Sequence, residues 1–183
     1  MHKNTHLLLL TALCAALTLT LPTGARAQKS NALSLGIAPS LTSPVENDIT
    51  KGYVTAQVTW QQGILSLEST ALSLIAGPEF AISVPHYTEN AHCTYGLYAG
   101  LQFRFGRMCV EPFASFGLLS RDKALRVYQS EGVRIGIRAG RFTIFADSRW
   151  QKESYNWTNH APIGNPSRLN FGVGLRYDIA VFR

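Results

Sequence analysis

The sequence predicts an all-β fold: an eight-stranded antiparallel up-and-down transmembrane β-barrel. Three observations predict it. Apolar and polar residues alternate with period two over eight segments, which is the sequence form of a strand with one apolar and one polar face. Long and short polar links alternate between those segments, as in barrels with short turns at one end and long loops at the other. Beyond residue 27, no segment approaches the roughly 20 apolar residues that a membrane-spanning helix needs.

The first stretch stands outside this pattern. Met1-His2-Lys3 is a short basic start, Leu7 to Leu21 carries no charge, and Pro22-Thr23-Gly24 breaks the run. Ala25-Arg26-Ala27 then reads as a cleavage site, so residues 1–27 are expected to be a signal peptide and residues 28–183 the barrel domain. The apolar run, about 15 residues, is too short for a spanning anchor. Its removal takes two of the 17 basic residues and none of the 11 acids, and lowers the formal charge from +6 to +4. An exported basic chain meets anionic lipid and lipopolysaccharide rather than nucleic acid. Charged residues are 15% of the chain, low for a soluble surface.

The strands follow in order. Leu33, Leu35 and Ile37 alternate with Ser34 and Gly36; Val54, Ala56, Val58 and Trp60 alternate with Thr55, Gln57 and Thr59. A rougher strand runs from Ala71 to Val84 with Leu72, Leu74, Phe80 and Ile82 in phase and Pro78 inside it. Tyr95 to Phe105 is the cleanest, with Leu97, Ala99, Leu101 and Phe103 on one face and Gly96, Tyr98, Gly100, Gln102 and Arg104 on the other. Val110 to Leu118 has Pro112 on its apolar face. Proline removes a ladder donor, so a bulge or distorted end is expected at both prolines. Val133, Ile135, Ile137 and Ala139 alternate with Arg134, Gly136 and Arg138. In Phe142 to Trp150 the second face carries Thr143, Phe145, Asp147 and Arg149. Finally Leu169, Phe171, Val173, Leu175, Tyr177 and Ile179 alternate with Asn170, Gly172, Gly174, Arg176 and Asp178.

Gly106-Arg107 and Gly140-Arg141 read as tight turns, and Gln61-Gln62-Gly63 as a turn that widens into the out-of-phase stretch Ile64 to Thr70. Ser40 to Lys51, Pro85 to Cys93, Ser120 to Ser130 and Lys152 to Ser167 read as longer external loops.

Alternation alone would also suit a soluble ligand-binding barrel with its apolar face inward. The apolar faces here carry more bulk than an eight-stranded interior holds, while the other faces are rich in Gly, Ser and Thr. Aromatic residues fall near two boundaries: Trp60, Phe103, Phe105, Phe142 and Tyr177 at the short-turn end, Tyr95 and Trp150 at the other. The polar faces then place Glu79, Glu111, Asp147 and Asp178 in one lumen with Arg104, Arg134, Arg138, Arg149 and Arg176. Paired and hydrogen-bonded charges are tolerated in such a site, and a lumen this narrow is filled by side chains, so a packing network is expected rather than an ion path.

Gly174, Tyr177 and Ile179 resemble the C-terminal recognition pattern of outer-membrane barrels, which implies the barrel-assembly machinery as a partner, although this chain continues through Ala180 to Arg183. Cys93 and Cys109 fall at opposite ends of one hairpin, too far apart to bridge, and two free thiols are expected. No metal motif, phosphate loop, nucleotide fingerprint or Gly-x-Ser-x-Gly elbow occurs, and no cofactor is implied. His86, His92 and Cys93 share a link but match no ligand spacing.

From Leu97 onward the chain resembles the lipid A 3-O-deacylase family of eight-stranded outer-membrane enzymes, in Phe103 to Arg107, in Val110 to Ala114 with Gly117 to Ser120, and in Asn165 to Phe171. The resemblance implies a His-x-Ser pair in which the histidine takes the serine proton before the serine attacks the ester. This chain departs from it. Aligning Arg149-Trp150-Gln151 puts Lys152 in the histidine position and Ser154 in the nucleophile position; sliding to His160 puts Pro162 where serine belongs. A solvated, protonated lysine is a poor base. The leading expectation is therefore a non-enzymatic, monomeric outer-membrane barrel, structural or surface-binding, with Tyr155, Trp157 and His160 as a loop contact patch. A deacylase relative with altered or lost catalysis is the second reading, and a soluble periplasmic barrel the third.

Overall fold

Each alternating segment can bury its polar face only if the sheet curls until its first and last strands meet. The computed structural model describes residues 31–43, 51–66, 70–84, 92–121, 124–163 and 167–182, and in it the sheet closes. The expected signal peptide lies outside these residues. The strands are β1 (Asn31–Ser43), β2 (Lys51–Ser66), β3 (Thr70–Val84), β4 (Cys93–Phe105), β5 (Met108–Arg121), β6 (Ala124–Ala139), β7 (Phe142–Asn156), the two-residue β8 (Ala161–Pro162) and β9 (Ser167–Phe182). Consecutive long strands pair antiparallel from β1 to β7, β9 pairs with β7, and β9 closes on β1. The ring therefore has eight strands, with β8 paired to the end of β7. Closure leaves no sheet edge unpaired, the condition for strands to survive in hydrocarbon.

The two faces are sorted inside out relative to a soluble protein. Leu97 is 67% exposed and Val173 61%, with Ile37, Ile135 and Ile144 similarly bare, whereas Arg134 is 1% exposed and Glu111 is wholly buried. Soluble monomers rarely expose apolar patches beyond a few hundred square ångströms. Here the apolar face runs around the whole wall, so the chain is a β-barrel of the outer-membrane type. A ligand-binding barrel with an apolar interior has the reverse arrangement. No helix among the described residues is long and apolar enough to cross a membrane.

Gly106 and Gly140 take positive φ (59° and 63°) in two-residue loops, at the first central position where a hairpin turn of this kind needs glycine. Four expectations change. Gln61-Gln62-Gly63 lies inside β2, where Gln61 donates to Ser73, and the connection falls beyond Ser66. A bulge between Gly63 and Leu65 pairs Leu65 with Leu72, and this extra residue is why the stretch from Ile64 reads out of phase. The prolines are not bulges: β2 and β3 keep one register across Pro78, and β4 and β5 across Pro112, each with two rungs of the ladder missing. The described part of Ser120 to Ser130 and much of Lys152 to Ser167 are strand, because β5 reaches Arg121, β6 starts at Ala124 and β7 reaches Asn156, while residues 122–123 lie outside the described residues. The connections at residues 44–50 and 85–91 lie outside the described residues.

Candidate functional site

Period two delivers the lumen. Inward positions on β3, β5, β6, β7 and β9 bring Glu79, Glu111, Arg134, Asp147, Arg149 and Arg176 together in mid-barrel. Arg176 grips Glu111 with both terminal nitrogens, at 3.0 and 2.5 Å, and Gln102 donates to the same carboxylate at 2.6 Å. Arg134 donates to Glu111 (3.3 Å), Asp147 (3.1 Å) and the Gln57 amide oxygen (2.9 Å). Arg149 donates to Glu79 at 2.6 Å and reaches Asp147 at 3.5 Å; Gln57 also donates to Glu79. Thus the carboxylates each meet at least one guanidinium, the condition under which buried charge is tolerable.

Aromatic rings complete the plug. The Arg134 guanidinium sits 4.4 Å from the Phe145 ring centroid and 5.1 Å from that of Phe113, while Arg149 lies 5.0 Å from Phe113. Tyr98 meets Phe113 edge-on and hydrogen-bonds Thr59. The rings fit because glycines face them: a Cβ on Gly174 would strike Phe145, and one on Gly132 would come within 2.8 Å of Phe113. Above this layer, toward the long-link end, a cavity of about 30 Å³ lies among Gln57, Glu79, Tyr128, Arg149 and Arg168. That is room for about one water. Side-chain contacts thus cross the lumen from β6 to β2, from β7 to β3 and from β9 to β5.

Of the other network candidates, Arg138 pairs with Asp178 at 2.5 Å near the short turns, and Asp178 also accepts from Ser34. Arg104 stands apart, at the short-turn mouth. Sequence reasoning missed Glu153, which is buried and ion-pairs with Arg126 (2.8 Å) and Arg168 (3.0 Å). The signal existed: the inward series Asp147, Arg149 continues through Gln151 to Glu153 once β7 is extended.

The residues at the long-link end divide. Tyr155 is the penultimate residue of β7, while Trp157 and His160 lie in the 157–160 turn, where His160 has a φ of 49°. The turn is braced: Asn156 Oδ1 accepts from the Thr158 and Asn159 amides, Trp157 N donates to Leu125 O, and Leu125 N donates to Thr158 Oγ1. Tyr155 and Trp157 stack edge-on at 5.9 Å, leaving the indole 52% exposed. Lys152 is exposed on β7, and Ser154 sits two residues on, at the irregularity where Tyr128 pairs with Glu153 and Val127 with Tyr155. Among the described residues no hydrogen bond joins Lys152, Ser154 and His160. Cys93 and Cys109 are free and lie at opposite ends of the β4–β5 hairpin, paired with Ser120 and Arg104 respectively. His92 is buried, His86 lies outside the described residues, and no described cluster of three or more His, Cys, Asp or Glu could hold a metal ion.

No protein family matches the chain, and no curated protein matches it. Solved structures do. Neisserial surface protein A is similar with a TM-score of 0.46 and 10% identity, over 85% of this chain and 99% of that one. Ail, the attachment invasion locus protein of Yersinia pestis, solved with the heparin analogue sucrose octasulfate, gives 0.40 and 11% over 84% and 99%. The N-terminal β-barrel domain of Pseudomonas aeruginosa OprF gives 0.38 and 12% over 80% and 99%.

Proposed function

We propose that this chain is a non-enzymatic bacterial outer-membrane protein whose plugged barrel is a rigid mount for a binding surface at its long-link end. The barrel spans the membrane as a monomer in contact with lipid and lipopolysaccharide, and its last strand is the segment offered to the assembly machinery. The observation that carries the reading is the Tyr155–Trp157 tip. A half-exposed tryptophan on a backbone pinned by Asn156, Thr158 and Leu125 is a preorganised contact, with little left to order on binding. The mid-lumen ion pairs argue against conduction, and the lack of any hydrogen bond between Lys152, Ser154 and His160 argues against ester hydrolysis.

Two measurements test this. A thiol at Trp157→Cys, in a chain whose Cys93 and Cys109 are both serine, should react with a membrane-impermeant maleimide in intact cells. Labelling that required permeabilised cells would reverse the orientation and remove the proposal. Purified barrel incubated with lipopolysaccharide should release no 3-hydroxy fatty acid; release that disappears in Ser154→Ala would establish the deacylase reading instead.

A further inference from the structure

We propose that the short-turn end of the barrel binds anionic phospholipid headgroups through Arg104, Arg107 and Arg141. The proposal rests on the membrane reading above. Arg104, Arg107 and Arg138 line an open bowl of about 430 Å³ with Gly106, Ala139 and Gly140. Backbone hydrogen bonds tie each turn to the next strand around the rim: Arg138 N on β6 donates to Arg107 O at 2.7 Å, and Asp178 N on β9 donates to Arg141 O at 2.9 Å. Four arginines thereby share one arc of the rim.

Their charge is not balanced locally. Asp178 is the acid of this arc, and it is already engaged by Arg138 and Ser34. Among the described residues no carboxylate pairs with Arg104, Arg107 or Arg141. In mid-lumen, by contrast, Arg134, Arg149 and Arg176 each meet one or more acids.

Depth selects the anion. Phe105 and Met108, on either side of Gly106-Arg107, are each 53% exposed, and Phe142, which follows Arg141, is similarly bare and stacks on Tyr177 at 4.9 Å. The lipid-facing wall therefore runs to within one residue of the turns, which puts the guanidiniums at the level of lipid phosphates. A phospholipid can lay its chains on Phe105, Met108, Ile137 and Phe142 while its phosphate takes the planar donor fork of an arginine. A soluble anion gains nothing from that wall.

The test uses the folded full-length barrel, offered equal amounts of phosphatidylglycerol and phosphatidylcholine, with bound lipids counted by native mass spectrometry. The expected preference for phosphatidylglycerol is about tenfold to a hundredfold, since each arginine near an anionic surface supplies up to about 1 kcal/mol. It should vanish in Arg104→Gln/Arg107→Gln/Arg141→Gln, fall but survive in the matching triple lysine variant, which keeps the charge and loses the fork, and be unchanged in Lys152→Gln at the opposite end. All variants should keep the heat-modifiable band of the folded barrel. Equal binding of the two lipids, or a preference that survives the triple glutamine variant, would overturn the proposal. So would binding of inorganic phosphate without lipid selectivity, which would assign the bowl to a soluble anion. Failure of the wild-type chain to insert into vesicles of either lipid would instead remove the membrane reading, and would be seen before any lipid was counted.

Discussion

Replacing Glu111 by glutamine removes one charge and almost no volume, at the point where the mid-lumen network is most connected. Glu111 is wholly buried and takes two hydrogen bonds from Arg176, one from Arg134 and one from Gln102. Without the carboxylate, Arg134 keeps Asp147, but Arg176 has no other acid among its described contacts and becomes an uncompensated buried cation. Breaking a buried pair from one side costs about 3–5 kcal/mol. With a urea dependence of about 2 kcal/mol per molar, the unfolding midpoint in lipid vesicles should fall by about 2 M. The reverse variant, Arg176→Met, should cost less, since Arg134 and Gln102 still hold Glu111. Combining the two removes both charges, so the double variant should be more stable than the sum of the single losses implies, with a coupling of about 1–3 kcal/mol. Additive losses, or a Glu111→Gln cost below about 1 kcal/mol, would refute the inference that these ion pairs hold the lumen together.

Other predictions follow from the same geometry. Gly174→Ala should lose about 1–3 kcal/mol in the same urea titration, because its Cβ would collide with Phe145, and Phe145→Leu should restore part of the loss. Planar-bilayer recordings should show no stable channel steps for the wild type; steady conductance would contradict the plug, whereas Arg134→Ala/Phe113→Ala should open a leak. Ile135→Arg puts a charge on the bare outer wall and should cost about 2–4 kcal/mol of stability in a bilayer, measured by vesicle refolding.

Much of the barrel was legible because most lipid-facing strand positions must be apolar and most lumen-facing ones polar or small. Tyr95 to Phe105 and Leu169 to Ile179 read directly into β4 and β9. Legibility failed where the constraint lapses. Toward the long-link ends of β6 and β7 both faces carry polar residues, as in Gln129, Ser130 and Glu131 or Gln151, Lys152 and Glu153, and β5 ends with Leu118 and Leu119 side by side, so the alternation fades and strand looks like loop. The same fading concealed Glu153 and its two arginines. Bulges were a second cause, since the extra residue near Leu65 reverses the phase that pattern reading depends on. Prolines misled in the opposite direction: Pro78 and Pro112 each cost rungs of the ladder but no register. The aromatic tip was legible as residue types, while its bracing by Leu125 depends on the distant pairing of β6 with β7.

Spin labels placed singly at Leu97, Val173 and Ile144, with the barrel reconstituted in a bilayer, test most directly whether the outer wall meets lipid. Collisions with dissolved oxygen should be frequent at all three sites, and collisions with a water-soluble nickel chelate rare. Ready access of the nickel chelate to these positions would mean that water covers the wall, and the inside-out barrel described above would be wrong.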